Sequence, residues 1–112
     1  MNNILELSYD EKLKIIQDPS TPSETLVVLA TDKSILIRGA VADHPNTSQE
    51  TLKVLAEDKD SYVRCHVARN GNIPKELLEQ FFEDNDDFVR RFAAQNPNTT
   101  EIMRRLLLMK ND

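Results

Sequence analysis

The sequence is poor in the residues that mark several whole classes of protein. Its single cysteine, Cys65, allows neither an internal disulfide nor a multi-cysteine metal site. The scarcity of glycine excludes collagen and glycine-rich linkers. Wholly apolar runs are a few residues long, far short of the ~20 that span a bilayer. Met1 to Leu7 carries no positive stretch leading into an apolar one, so no secretory leader is expected. The phosphate-binding G-x-x-x-x-G-K, the dinucleotide G-x-G-x-x-G, the nucleophile elbow G-x-S-x-G and the zinc-binding H-E-x-x-H are all missing. His44 and His66 stand far apart along the chain without companion ligands. These gaps predict a cytoplasmic, non-enzymatic chain with no cofactor, no metal and no membrane segment.

What is present is charge and periodicity. Lys and Arg number 14 and Asp and Glu 19, a net charge of −5, with 39% hydrophobic residues. That balance suits one soluble globular domain over 1–112 and excludes a disordered polyampholyte. Aligned with itself at an offset of 26, the chain matches from residue 19 onward without an insertion. Pro19, Pro45, Gly71 and Pro97 share a column, as do Thr21, Thr47, Ile73 and Thr99. So do Leu26, Leu52 and Leu78; Asp32, Asp58 and Asp84; Arg38, Arg64 and Arg90; and Ala42, Ala68 and Ala94. Self-similarity at one fixed spacing of this length is the signature of stacked supersecondary units. The predicted units are 19–44, 45–70 and 71–96, with half-units 1–18 and 97–112 as caps.

Each unit reads as two short helices. Thr21-Pro22-Ser23-Glu24 has the form of a capping box with proline at the first helical position, and Thr47-Ser48-Gln49-Glu50 repeats it without the proline. Ile73 lacks the capping hydroxyl, which predicts a weaker helix start there by about 1 kcal/mol. Ser34, Asp60 and Asp86 are N-caps for the second helices, whose apolar face follows from Ile37 and Val41, Val63 and Val67, Val89 and Ala93. Those helices are expected to stop at His44-Pro45, Asn70-Gly71 and Asn96-Pro97, with Asn or Gly in a left-handed cap. Tyr9 to Gln17 align with a second helix, Lys12 falling in the arginine column, and Thr99 to Met109 with a first helix. No strand pattern appears.

The stretch from Asp60-Ser61-Tyr62-Val63-Arg64 to Val67-Ala68-Arg69-Asn70-Gly71-Asn72-Ile73-Pro74, and Val89-Arg90 through Asn96-Pro97-Asn98-Thr99, resembles the leucine-rich repeat variant family, itself similar to HEAT repeats. The resemblance covers nearly the whole chain. It implies an all-α fold, a right-handed α-solenoid of two-helix units with one helix partly 3₁₀. It implies no particular activity. An iron–sulfur domain accompanies the repeats in one member type, and this chain lacks the cysteines for it.

Two sets of residues are candidates for a role. The columns Asp32, Asp58, Asp84 and Arg38, Arg64, Arg90 read as a structural ladder, since a residue present in every unit serves what every unit needs. The alternative is a row of arginines for a nucleic acid. The second-helix segments 34–46, 60–72 and 86–98 carry only 0, +1 and 0, which argues against it. The positions that vary from unit to unit lie four apart on the second helices: Ile35, Ser61, Asp87; Gly39, Cys65, Arg91; and Asp43, Arg69, Gln95. They are expected to face away from the apolar side and to line a groove for a protein partner. Tyr62, Cys65, Arg69, Phe88, Arg91 and Gln95 are its candidate residues. His66, in the column of Ala40 and Phe92, is expected to be partly buried, and Phe81 and Phe82 to thicken the core. Leu106, Leu107 and Leu108 offer a third reading, a self-assembling homo-oligomer.

Overall fold

A computed structural model describes residues 3–110. Among them there is no strand. A 3₁₀ turn at Ile4–Glu6 precedes eight α-helices: α1 Tyr9–Gln17, α2 Ser23–Leu29, α3 Ile35–Asp43, α4 Gln49–Ala56, α5 Ser61–Arg69, α6 Lys75–Phe81, α7 Asp87–Gln95 and α8 Glu101–Lys110. No helix runs through Pro19, Pro45, Gly71 or Pro97. The chain is all-α.

The odd-numbered helices lie side by side, α1 against α3, α3 against α5 and α5 against α7. Each of α2, α4 and α6 packs on the helix that follows it. The molecule measures 52 × 23 × 19 Å. Between the two rows of helices runs a continuous core, in which Leu26, Leu29, Ile37, Val41, Leu52, Leu55, Val63, Val67, Leu78, Phe81 and Val89 are all but sealed from solvent. Burying each stabilises the fold by about 1.5–3 kcal/mol before chain entropy is set against it. Phe82 is half-buried against this core. The side chains of Leu106, Leu107 and Leu108, expected to drive self-assembly, lie outside the described residues.

Helix starts divide into two kinds. Ser34, Asp60 and Asp86 cap α3, α5 and α7 through their side chains, and Ser8 caps α1 in a full capping box with Glu11. The threonine column does not cap. Thr21, Thr47 and Thr99 donate their hydroxyls at 2.5 Å to the carbonyls of Ile15, Val41 and Ala93, closing the end of the preceding helix. The first helices therefore begin a residue later than expected. Ser48 is the N-cap of α4, and Pro22 and Pro74 precede α2 and α6 without any side-chain bond. Ile73 thus costs α6 no cap that α2 enjoys. It is simply buried where the threonines are.

The helix stops also differ from the expected left-handed caps. His44, Asn70 and Asn96 are extended, with ψ of 136°, 128° and 133°, and no described residue has positive φ. The short members of the helix pairs are α-helical and close in i→i−3 bonds, from Thr31 and Asp32 to Val28 and Leu29, from Glu57 and Asp58 to Val54 and Leu55, and from Glu83 and Asp84 to Gln80 and Phe81; among the described residues the one separate 3₁₀ helix is Ile4–Glu6.

Candidate functional site

Two ladders of hydrogen bonds run along the row of odd helices, and they decide which side chains remain available. The first joins arginine to aspartate. Arg38 Nε donates to Asp58 at 2.7 Å and Arg64 Nε to Asp84 at 3.0 Å, both pairs little exposed and each linking one odd helix to the loop before α5 or α7. Lys12 takes the same position toward Asp32, at 2.6 Å. Each guanidinium also reaches back along its own chain segment: Arg38 Nη1 to the Asp32 carbonyl, Arg64 Nη1 to that of Asp58, Arg90 Nη1 to that of Asp84. The carboxylates in turn accept the N–H of Ser34, Asp60 and Asp86, which fixes the loop into each odd helix. Arg90 has no following aspartate, because Lys110 stands in that column, and it pairs instead with its neighbour Asp87. Burial alone would raise Asp32 and Asp58. Lys12 with the Ser34 N–H, and Arg38 with the Asp60 N–H, more than offset it and hold both carboxyls below their ordinary range.

The second ladder has no counterpart in the expectations above. Asn70 Nδ2 donates to the carbonyls of Ala42 and His44, and Asn96 Nδ2 to those of Ala68 and Asn70. Both asparagines are buried, and each Oδ1 accepts the N–H two residues on. His44 fills the same role with a ring. Its Nδ1 accepts from the Asn46 N–H, so Nε2 carries the proton and donates to the Asp18 carbonyl. Asn46, Asn72 and Asn98 add an outer rail, donating to the carbonyls of Pro19, Pro45 and Gly71. Both columns stop at the N-terminal end. There Asp18 and Ser20 stand in place of the asparagines and bond to each other. At the other end Arg104 Nε takes the Ala94 carbonyl.

The stripe of varying positions is not uniformly open. Gly39 is buried against α5, where an added Cβ would come within 2.6 Å of the Tyr62 ring and 3.2 Å of His66. Asp43 accepts from His66 Nδ1 at 2.8 Å, and the Tyr62 and His66 rings meet edge to face. The expected solvent-facing groove is therefore closed between α3 and α5. The glycine and the tyrosine interlock there, a contact between helices that spacing along one helix does not reveal.

Between α5 and α7 the surface opens into a cleft of about 470 Å³ lined by Ser61, Tyr62, Cys65, His66, Arg69, Phe88 and Phe92. Four of the candidate residues, Tyr62, Cys65, Arg69 and Phe88, meet there. Arg91 lies outside it, its guanidinium 5.7 Å from the Phe88 ring, and Gln95 faces an adjoining hollow with Arg69 and Phe92. His66 and Phe92, whose column points to packing alone, complete the wall. Phe88 is 62% exposed. Tyr62 and Leu36, its counterparts 26 and 52 residues back, are exposed as well. The Cys65 thiol is pushed up to about 11, by burial first and then by Asp86 and Asp84, which makes it a poor nucleophile at neutral pH. Among the described residues no group of three His, Cys, Asp or Glu side chains is placed to hold a metal, and no helix is long and apolar enough to cross a membrane.

No family model matches the chain, and neither the curated proteins nor the solved structures contain a match.

Proposed function

We propose that the chain is a right-handed α-solenoid of the leucine-rich repeat variant type, and that it acts as a non-enzymatic protein-interaction module in the cytoplasm. Ladders that recur at the same offset as the sequence columns support the stacked-unit reading, and the resemblance supplies the handedness. The observation that carries the interaction reading is the α5–α7 cleft. A large ring held mostly in solvent at Phe88, beside Tyr62 and two arginines, is the composition of an interface anchor. The nucleic-acid alternative loses its arginines, since Arg38 and Arg64 are consumed by Asp58 and Asp84. Self-assembly by end-to-end stacking finds no continuing ladder, because Asp18, Ser20 and Arg104 terminate it.

Affinity capture with the full chain as bait tests this reading. Capture of a protein partner should be abolished by Tyr62→Ser with Phe88→Ser. If capture survives that pair and is lost instead on altering the exposed Glu24, Lys53 and Glu79 of α2, α4 and α6, the site lies on the first-helix face.

A further inference from the structure

The arginines divide by what they touch. Arg38, Arg64, Arg90 and Arg105 pair with carboxylates, and Arg104 donates to a backbone carbonyl. Arg69 and Arg91 do neither among the described residues. Each lies over a ring at the cleft, Arg69 5.6 Å from the centre of Phe92 and Arg91 5.7 Å from that of Phe88. A guanidinium held against a ring gives up no N–H donor to it, so its five donors stay available to a ligand. A partner that covers the rings also strips water from those donors, and the loss is made good only if the partner brings acceptors, best of all carboxylates. On a chain of net charge −5, these two cations have no ion-pair partner of their own at an apolar slot, although Asp86 and Asp84 lie near enough for their charge to reach Cys65 on its floor.

The floor of the slot explains its emptiness. At the α3–α5 step Gly39 lets Tyr62 lie down and fill the space. At the α5–α7 step Cys65 occupies that position, and the corresponding ring, Phe88, stands out in solvent. The cleft has room for a large apolar side chain, with cationic groups beside it.

We propose that the α5–α7 cleft binds a short acidic segment of a partner protein, whose aliphatic or aromatic side chain packs over Cys65 between Tyr62, Phe88 and Phe92 while flanking carboxylates accept from Arg69 and Arg91. The assignment rests on the protein-interaction reading of the groove and adds the chemistry of the partner. A single-stranded nucleic acid would also find rings and arginines here. Its unbroken row of phosphates would meet the exposed carboxylate of Asp87 on α7 and the charge of Asp86 and Asp84 that reaches Cys65, whereas a peptide needs negative charge only at the two arginines.

The test is selection from a random nonapeptide library displayed on phage, with the full chain as target, followed by fluorescence anisotropy on the enriched peptides and on a labelled oligo-dT. Enriched peptides should be net acidic around one Leu, Ile, Met or Phe. Arg69→Glu with Arg91→Glu should weaken their binding by about a hundredfold, roughly a factor of ten for each ion pair removed. Lysine-substituted versions of the same peptides should regain affinity for the doubly reversed protein. Thermal melting confirms that the variants fold. Peptides enriched without acidic bias, yet lost on Phe88→Ser, would overturn the acidic assignment and leave the interaction module standing. Binding of oligo-dT with no enriched peptide would overturn both in favour of nucleic acid, and an absence of any ligand would overturn both outright.

Discussion

Replacing Arg64 with alanine removes one rung from the middle of the arginine–aspartate ladder. The guanidinium donates to both Asp84 oxygens at 3.0 and 3.2 Å, to Asn85 Oδ1 at 3.3 Å and to the Asp58 carbonyl at 2.8 Å. The side chains of the ion pair are 14% and 11% exposed. Truncation leaves the Asp84 carboxylate with the Asp86 N–H as its remaining donor, and leaves the Asp58 carbonyl without the guanidinium. Stranding one half of a buried pair costs about 3–5 kcal/mol, and partial access of water reduces this to about 2–3 kcal/mol. For a domain of this length that lowers Tm by about 10 °C. Thermal and urea unfolding followed by circular dichroism should show the shift with an unchanged m-value. Arg64→Lys should recover only part of it, because an ammonium cannot span two carboxylate oxygens and a carbonyl at once. Arg90 provides the control. It shares the column and the backbone bond, here to the Asp84 carbonyl, but has no aspartate ahead of it, and its partner Asp87 is 72% exposed, so Arg90→Ala should cost only about 1 kcal/mol, the share of the carbonyl bond. If the two alanine variants melt together, the forward ion pair contributes nothing and the ladder account is refuted.

Gly71→Pro should raise stability by about 0.5–1 kcal/mol, measured by urea titration, since the column is otherwise proline, the residue before it is extended and a Cβ there meets nothing within 4 Å. Asn70→Asp should destabilise by about 3 kcal/mol or more, because it turns a donor to two carbonyls into a charge facing them, and a melt that matches the parent would sink the asparagine ladder. The folded carboxyls of Asp32 and Asp58 lie below their unfolded value of about 4, so their contribution is full above that pH and is lost as pH falls through the folded values; urea midpoints should be flat near neutrality and drop below about pH 4. Cys65, at about 11 against an ordinary 9.0, should alkylate with iodoacetamide at neutral pH about a hundredfold more slowly than in the unfolded chain.

The helix pairing was legible because each column of the sequence meets the same surroundings. Leucine and valine columns mark the core, and Ser34, Asp60 and Asp86 mark the second-helix starts. The asparagines are equally periodic, yet Asn-Pro has a strong local meaning as a helix stop. That meaning hides a long-range one: Asn70 and Asn96 end a helix while their side chains bond two carbonyls, 28 and 26 residues back along the chain. The threonines mislead for the same reason, since the S/T-x-x-E pattern names a cap and the hydroxyl has a better acceptor behind it. The groove was half legible. Positions four apart do share a face, but whether that face is open depends on what the next helix lays across it. Tyr62 over Gly39 and Phe88 beyond Cys65 take opposite courses at one column.

The way the two ladders stop bears on how such a chain changes length. An internal segment such as 45–70 accepts from Arg38 behind it and donates through Arg64 to Asp84 ahead, while Asn70 donates back to Ala42 and Ala68 accepts from Asn96 ahead. A tandem copy of it, inserted whole, would meet a matching donor or acceptor at every rung, and the apolar columns would stay in register. An insertion of any other size would bring aspartates opposite the wrong side chains. The termini cannot be copied inward in this way, because Asp18, Ser20 and Arg104 act as bookends. On the proposed stacked-unit reading, growth from the middle in 26-residue steps would lengthen the exposed row of Leu36, Tyr62 and Phe88 by one more side chain each time.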